Sequence, residues 1–78
     1  MVFKSYLIYD RVTEEFSFPF FQKNDVLAKR QFDKFVDGVE EIQKNDFSLV
    51  CNGSFDNETG IFTNEHYDVS ENKILDVE

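Results

Sequence analysis

Aromatic and β-branched residues crowd positions 3–9 of the chain, a composition that is typical of a β-strand. Side chains alternate between the two faces of a strand, so Tyr6 and Ile8 share one face while Leu7 and Tyr9 share the other. Both faces are therefore apolar. We expect a central strand or one that is covered on both sides.

A second strand is predicted at positions 16–21, after the polar residues 10–15. Phe16, Phe18 and Phe20 alternate along it and would lie on one face. Pro19 has no backbone N–H, so it belongs on an edge strand or at a strand end. The two segments together predict a first hairpin.

The middle of the chain changes to a helical period. Asn24 or Asp25 is a suitable N-cap. The apolar residues that follow lie on one stripe of a helix: Ala28, Phe32, Phe35, Val36 and Val39. The pattern predicts a helix from about residue 25 to about residue 43, with a last turn that Gly38 weakens or ends early.

Positions 47–51 predict a third strand, which residues 53–55 continue or bend, and positions 61–63 predict a fourth. The turn signal between them, at residues 56–60, ends in a glycine that can adopt a positive φ. The order β-β-α-β-β predicts the α+β class, a four-stranded antiparallel sheet with one amphipathic helix on one face. We expect one domain over residues 1–64 and an acidic tail over 65–78, which either adds a short strand at 73–75 or stays mobile.

One helix covers one face of such a sheet and leaves the second apolar face without a cover. The chain has only 78 residues, and its single cysteine, Cys51, excludes an internal disulfide that would support so small a fold. Another copy of the chain is the simplest cover for the second face. We therefore expect a homo-oligomer, with a dimer favoured.

The sequence offers little for catalysis. His66 is the only histidine and lies in a polar stretch, whereas Cys51 lies in a predicted strand, so a nucleophile–base pair is not expected. These two residues are also too few for a zinc site, and the three dispersed glycines form no phosphate-binding loop. We expect no enzymatic activity, no cofactor and no metal.

Most of the formal net charge of −8 lies in the last part of the chain. Residues 1–44 contain seven basic and eight acidic residues, whereas residues 45–78 contain one basic and eight acidic residues. The chain has neither an apolar signal core nor a stretch long enough for a membrane helix, so we expect an intracellular protein without membrane contact.

Aromatic rings on a sheet can stack on bases, and cations at a helix start can contact phosphates. The candidate contacts for single-stranded DNA or a protein partner are Lys23, Lys29, Arg30, Lys34, Tyr6, Tyr9 and Phe18. The negative net charge opposes DNA binding, and the cations are interleaved with acidic residues as on an ordinary solvated helix face. Rings on strands are also explained by a core or a dimer interface. Both interpretations stay open at this point.

Several short segments resemble a known family in their order and spacing. They are Tyr-Leu-Ile-Tyr-Asp at 6–10, Phe-Pro-Phe-Phe at 18–21, Asn24, Asp25, Ala28, Arg30 and Phe32, Asp-Phe-Ser-Leu at 46–49, Gly-Ser-Phe-Asp at 53–56, and Thr-Gly at 59–60. Over about residues 5–62, the chain resembles the small nonstructural protein of gokushovirus-type microviruses, which are phages with single-stranded circular DNA genomes.

The resemblance implies a protein made in the cytoplasm of the bacterial host and absent from the virion. Its implied role is in the synthesis or packaging of viral single-stranded DNA, with a phage or host replication protein or the DNA itself as partner. It implies no catalytic residues. An alternative from charge alone is an acidic host-directed protein, whose tail docks on or mimics nucleic acid toward a host replication factor.

Overall fold

The computed structural model describes residues 1–40, 45–69 and 73–74 of the chain. Its elements, in chain order, are β1 (Val2–Asp10), β2 (Glu15–Phe16), β3 (Phe20–Gln22), α1 (Asp25–Asp37), β4 (Phe47–Asp56), β5 (Phe62–Asp68) and β6 (Lys73–Ile74). The predicted α+β class is confirmed, and the sheet curls into a half-barrel.

Strand β1 lies at the centre of the sheet, as its two apolar faces predict. β4 pairs with one edge of β1, while β2 and β3 both pair with the other edge. The sheet order is β2-β1-β4-β5-β6, and every pairing is antiparallel. The sheet has six strands instead of the predicted four because the second predicted strand is split and β6 adds to β5.

Helix α1 begins where the capping residue predicts, since the side chain of Asn24 accepts a hydrogen bond of 3.0 Å from the backbone N–H of Leu27. The predicted extension to residue 43 is wrong. The helix ends at Asp37, and the N–H of Gly38 closes the last turn by donating to the carbonyl of Phe35 at 3.1 Å. Glycine interrupts a helix because its backbone loses more freedom on ordering than that of any other residue. Positions 41–43 lie outside the described residues.

The main core lies between α1 and one face of the sheet. Its fully or almost fully buried side chains are Tyr6, Ala28, Phe32, Leu49 and Cys51. Half-buried side chains from several elements pack around them, including Phe20 from β3 and Tyr67 from β5. This arrangement matches the predicted amphipathic helix on one sheet face.

Compared with one continuous strand, the segment from β2 to β3 contains one extra residue. This residue places the phenylalanines before and after it on opposite faces of the sheet. Tyr9 pairs with Phe16, but Tyr6 pairs with Phe20, so the register shifts by one residue across 17–19. A shift of one residue moves a side chain to the other face. The predicted alternation is therefore wrong: Phe16 lies on the face opposite the helix and Phe20 lies in the core.

Pro19 accounts for the break, because it cannot donate to the ladder and lies between the two short edge strands. Its predicted place on an edge strand or at a strand end is confirmed.

A second irregularity lies in β4, where the register with β1 shifts between Cys51 and Gly53. Cys51 stays in the core, and Gly53 pairs with Ser5 on the opposite face. We call that opposite face the aromatic face. Its phenylalanine and tyrosine residues are Phe3, Tyr9, Phe16, Phe21, Phe55 and Phe62.

The sheet curls toward the aromatic face. Phe16 on β2 and His66 on β5 are separated by two intervening strands, yet their ring centroids are 6.5 Å apart. Neighbouring strands lie about 4.8 Å apart, so these rings would be much farther from each other across a flat sheet. The aromatic face is therefore the concave side of the half-barrel.

Strand β5 is longer than the predicted 61–63. It runs to Asp68, where Tyr67 packs against the core and Asp68 is buried on the other face. The backbone of residues 73–74 pairs antiparallel with its end. The sheet thus continues past residue 64, where the domain was expected to give way to a tail, and Leu75 lies outside the described residues.

Candidate functional site: the aromatic face

The aromatic face is built as a layer of rings over small buried residues. Ser5, Val50 and Gly53 are buried beneath it although the helix lies on the other side of the sheet. The covering rings keep their outer surfaces in solvent, with exposed fractions of 48% for Phe16, 50% for Phe21 and 42% for Phe62. The face is thus closed from below and open to a partner from above.

Ring contacts join this layer across the sheet. Phe21 on β3 lies 6.2 Å from Phe55 on β4, and Phe55 pairs in register with Phe62 on β5. Near the other end of β1, the ring of Tyr9 lies 4.6 Å from that of Phe16. Such tilted pairs are favourable geometries for aromatic rings. The rings therefore form two groups, one toward each end of β1.

Phe18 is the most exposed large apolar residue of the described chain, with 93% of its surface in solvent. It lies in the three-residue break between β2 and β3, beside the aromatic face. Ser17 fixes this loop, because its N–H donates to the carbonyl of Ile8 at 2.8 Å and its hydroxyl accepts from the N–H of Ile8 at 2.9 Å. A phenylalanine held in solvent by an ordered loop is a candidate anchor for a partner.

The aromatic face carries little charge. None of the residues of β1 to β5 on it is a lysine or an arginine, and Lys73 of β6 pairs with Asp68 at its edge. Its titratable side chains are those of Tyr9, His66 and the buried Asp68. The surface that β1 to β5 form is therefore suited to apolar contact.

The predicted basic contacts lie elsewhere, at the start of α1 and along its outer side. Lys29 forms an ion pair with Asp33, with 2.6 Å between Nζ and Oδ1. Lys23, Arg30 and Lys34 are exposed and make no hydrogen bond or ion pair within the described part of the chain. The helix lies on the face of the sheet opposite the aromatic face, so the fold does not bring the basic and aromatic candidates together.

Tyr6 is the one predicted contact residue that the structure contradicts. Its ring is in the main core with 0% exposure, so it cannot stack on a base or touch a partner. Tyr9 and Phe18 do lie at or beside the aromatic face. The outcome differs because Tyr6 and Tyr9 fall on opposite faces of β1.

The hydroxyl of Tyr6 belongs to a polar cluster that ties the helix start to the sheet. It donates to Oδ1 of Asp25 at 2.6 Å, and the Tyr67 hydroxyl lies 3.0 Å from both carboxylate oxygens of Asp25. Lys4 Nζ donates to the Tyr67 hydroxyl at 2.8 Å and lies 4.0 Å from Oδ1 of Asp25. Sequence reasoning missed this cluster because residues 4, 25 and 67 meet only through tertiary packing.

Burial is the main reason that the pKa of Tyr6 and the pKa of Tyr67 lie well above the usual tyrosine value. For Tyr6, the hydrogen bond to Asp25 raises the pKa further, because a tyrosinate would face a carboxylate. For Tyr67, the neighbouring Cys51 and the hydrogen bond to Asp25 raise the pKa further. Both phenols are therefore neutral donors, and the cluster holds the helix to the sheet.

The residues required for a nucleophile–base pair are kept apart. Cys51 is buried on the helix side of the sheet, whereas His66 lies on the aromatic face beside Phe16. Within residues 1–40 and 45–69, no group of three or more histidine, cysteine, aspartate or glutamate side chains could hold a metal ion. The described helix is too short and too polar to cross a membrane.

A family model for the phage ORF5 protein matches residues 3–76, which is most of the chain. The chain belongs to the phage ORF5 protein family. No curated protein and no solved structure matches it. The candidate site of this family member is therefore defined by its own surface, which has an aromatic face, a protruding Phe18 and a separate basic helix side.

Proposed function

We propose that this ORF5 family member is a non-enzymatic accessory protein of a single-stranded DNA phage of the microvirus type. It acts in synthesis or packaging of the viral DNA in the cytoplasm of the bacterial host, and it is not part of the virion. Family membership supports a phage role. The ordered segments between residues 5 and 62 support the microvirus type.

The aromatic face and the neighbouring Phe18 are the observations that support binding of a protein partner. An ordered loop holds Phe18 in solvent, and three more phenylalanines of the face are about half exposed. Buried aromatic anchors supply much of the energy of protein interfaces. The absence of lysine and arginine from the β1 to β5 positions of this face favours a protein over a nucleic acid.

Replacement of Phe18 in the phage tests this function. Phe18→Ala should lower the yield of viral single-stranded DNA or of filled particles, measured by quantifying both in infected cells. Val12→Ala is the matched control, since Val12 is also a largely exposed apolar residue in a loop. If Phe18→Ala and Val12→Ala give the same DNA and particle yields as the unaltered phage, Phe18 has no part in the function.

Direct contact with single-stranded DNA is the second candidate. It is supported by the exposed cations Arg30 and Lys34, which lie one helical turn apart and have no ion-pair partner within the described residues. Fluorescence anisotropy with a labelled oligonucleotide at low and moderate salt tests it. Salt-sensitive binding that the double variant Arg30→Ala/Lys34→Ala weakens would support this contact, and no binding at low salt would rule it out.

The host-directed alternative depends on free acidic groups in the last part of the chain. In the described part, Glu65 accepts a hydrogen bond of 2.7 Å from Ser54, and Asp68 is buried. These two carboxylates therefore stabilise the fold and are not free to contact a partner. A test by truncation should remove only residues 75–78, because a cut at residue 64 would remove most of β5.

A further inference from the structure

We propose that the aromatic face is the interface of a homodimer, in which a second copy of the chain closes the open side of the half-barrel. The inference deepens the proposed function, since it names the first partner of the same surface. Two copies related by a two-fold axis would bring the same rings together from both sides.

The first support is the amount of exposed apolar surface. A phenylalanine has roughly 200 Å² to bury, so the exposed parts of Phe16, Phe18, Phe21 and Phe62 amount to roughly 450 Å² in each copy. A standard stable interface buries about 800 Å² on each partner. Four side chains thus supply more than half of what a dimer requires.

Charge is the second support, and it selects a second copy as the occupant. The whole chain carries −8, so two copies repel each other over most approaches. From β1 to β5, the aromatic face has no lysine or arginine and no exposed carboxylate, because Asp68 is buried; Lys73 pairs with Asp68 at the β6 edge. On such a surface, two identical acidic chains can meet without bringing like charges together and without desolvating an ion.

The third support is the small size of the main core. Its buried hydrophobic side chains come from only Tyr6, Ala28, Phe32, Leu49 and Cys51 in the described chain. A core of this size leaves a small domain marginally stable. Covering the half-exposed rings in a dimer would add apolar burial where the described elements of the monomer supply none.

Neighbouring positions on β5 provide a matched test that does not disturb the core. Asn64 and Thr63 are both exposed, but strand alternation places Asn64 on the aromatic face and Thr63 on the opposite face. Asn64→Glu adds two charges to a two-fold interface, one from each copy. Thr63→Glu adds the same charge per copy outside it.

Sedimentation equilibrium of the full chain from low to high micromolar concentration gives the result. The unaltered chain should have twice the 9.2 kDa mass of one copy, Thr63→Glu should match it, and Asn64→Glu should weaken dimerisation by roughly 10- to 100-fold. Phe21→Ser should act in the same direction. Its control, Phe35→Ser, changes a ring with 41% exposure on the helix side and should leave the mass unchanged.

A 9.2 kDa mass for the unaltered chain at the highest concentration would overturn the dimer. So would equal dimerisation of the Asn64→Glu and Thr63→Glu variants. Circular dichroism of each variant separates loss of the dimer from loss of the fold. If the chain is monomeric while Phe18→Ala still lowers phage DNA yield, the proposed function stands and the partner is another protein. If Phe21→Ser abolishes oligonucleotide binding by a monomer, the face binds DNA.

Discussion

The ring of Phe62 lies directly over the α-carbon of Gly53 on the aromatic face. A Cβ at position 53 would be 2.6 Å from Cε2 of that ring and 2.6 Å from the carbonyl oxygen of Thr63. Carbon atoms in favourable contact are about 3.5–4.0 Å apart. Glycine at this position therefore lets β5 and its phenylalanine close over the bend in β4.

Gly53→Ala should lower the free energy of unfolding by about 1–3 kcal/mol, because the added methyl group overpacks the contact with Phe62. Urea denaturation measures the change. Gly60→Ala is the comparison: Gly60 has open space around it and a φ of 75°, so its replacement costs only the strain of a left-handed backbone, about 1 kcal/mol. An unchanged denaturation midpoint for Gly53→Ala would contradict the close contact.

Alkaline pH should destabilise the fold through Tyr6 and Tyr67. The pKa of each is raised above the ordinary value of 10.0, so the unfolded chain loses these protons first. Their contribution is complete below about pH 10, and the free energy of unfolding falls as pH rises above it, by up to about 1.4 kcal/mol per pH unit for each tyrosine. Denaturant midpoints measured across this range should fall less steeply for Tyr67→Phe. Equal slopes for the two proteins would exclude Tyr67 as a source of the effect.

The N-cap of α1 gives a third prediction. Asn24→Ala should destabilise the protein by about 1 kcal/mol, since it removes the acceptor for the N–H of Leu27. Asn24→Asp keeps an acceptor and should stay close to the unaltered protein. Thermal denaturation of the three proteins makes the comparison, and equal midpoints for the alanine and aspartate variants would show that the cap adds nothing.

Phe18 and Phe20 should differ sharply in their effect on stability. In the dissociated monomer, Phe18→Ala should change the free energy of unfolding by at most about 0.5 kcal/mol, because the ring is then in solvent. Phe20→Ala should cost about 2 kcal/mol or more, because Phe20 packs against the core with its ring 5.7 Å from that of Tyr6. Urea denaturation of both variants checks the register shift between β2 and β3. Equal losses would favour the regular alternation that the sequence predicts.

Local patterns in the sequence determined the α+β class, the central place of β1 and the start of α1. These features depend on neighbouring residues: alternation along a strand, the 3.6-residue period from Ala28 onward, and a capping side chain at Asn24. The end of the helix was less predictable, since the apolar stripe continues to Val39 past the glycine at which the helix stops.

Only the tertiary structure decided which rings are buried and which form a surface. The face on which Phe16 and Phe20 lie depends on their partners Tyr9 and Tyr6, and a shift of one residue in that pairing moves a ring across the sheet. The same dependence on distant partners buries Tyr6, brings Tyr67 to Asp25, and places the basic helix side opposite the aromatic face. A sequence pattern shows the period of a strand, but it does not show with which residues the strand pairs. In this protein, that pairing decides which rings form the surface that we propose for binding.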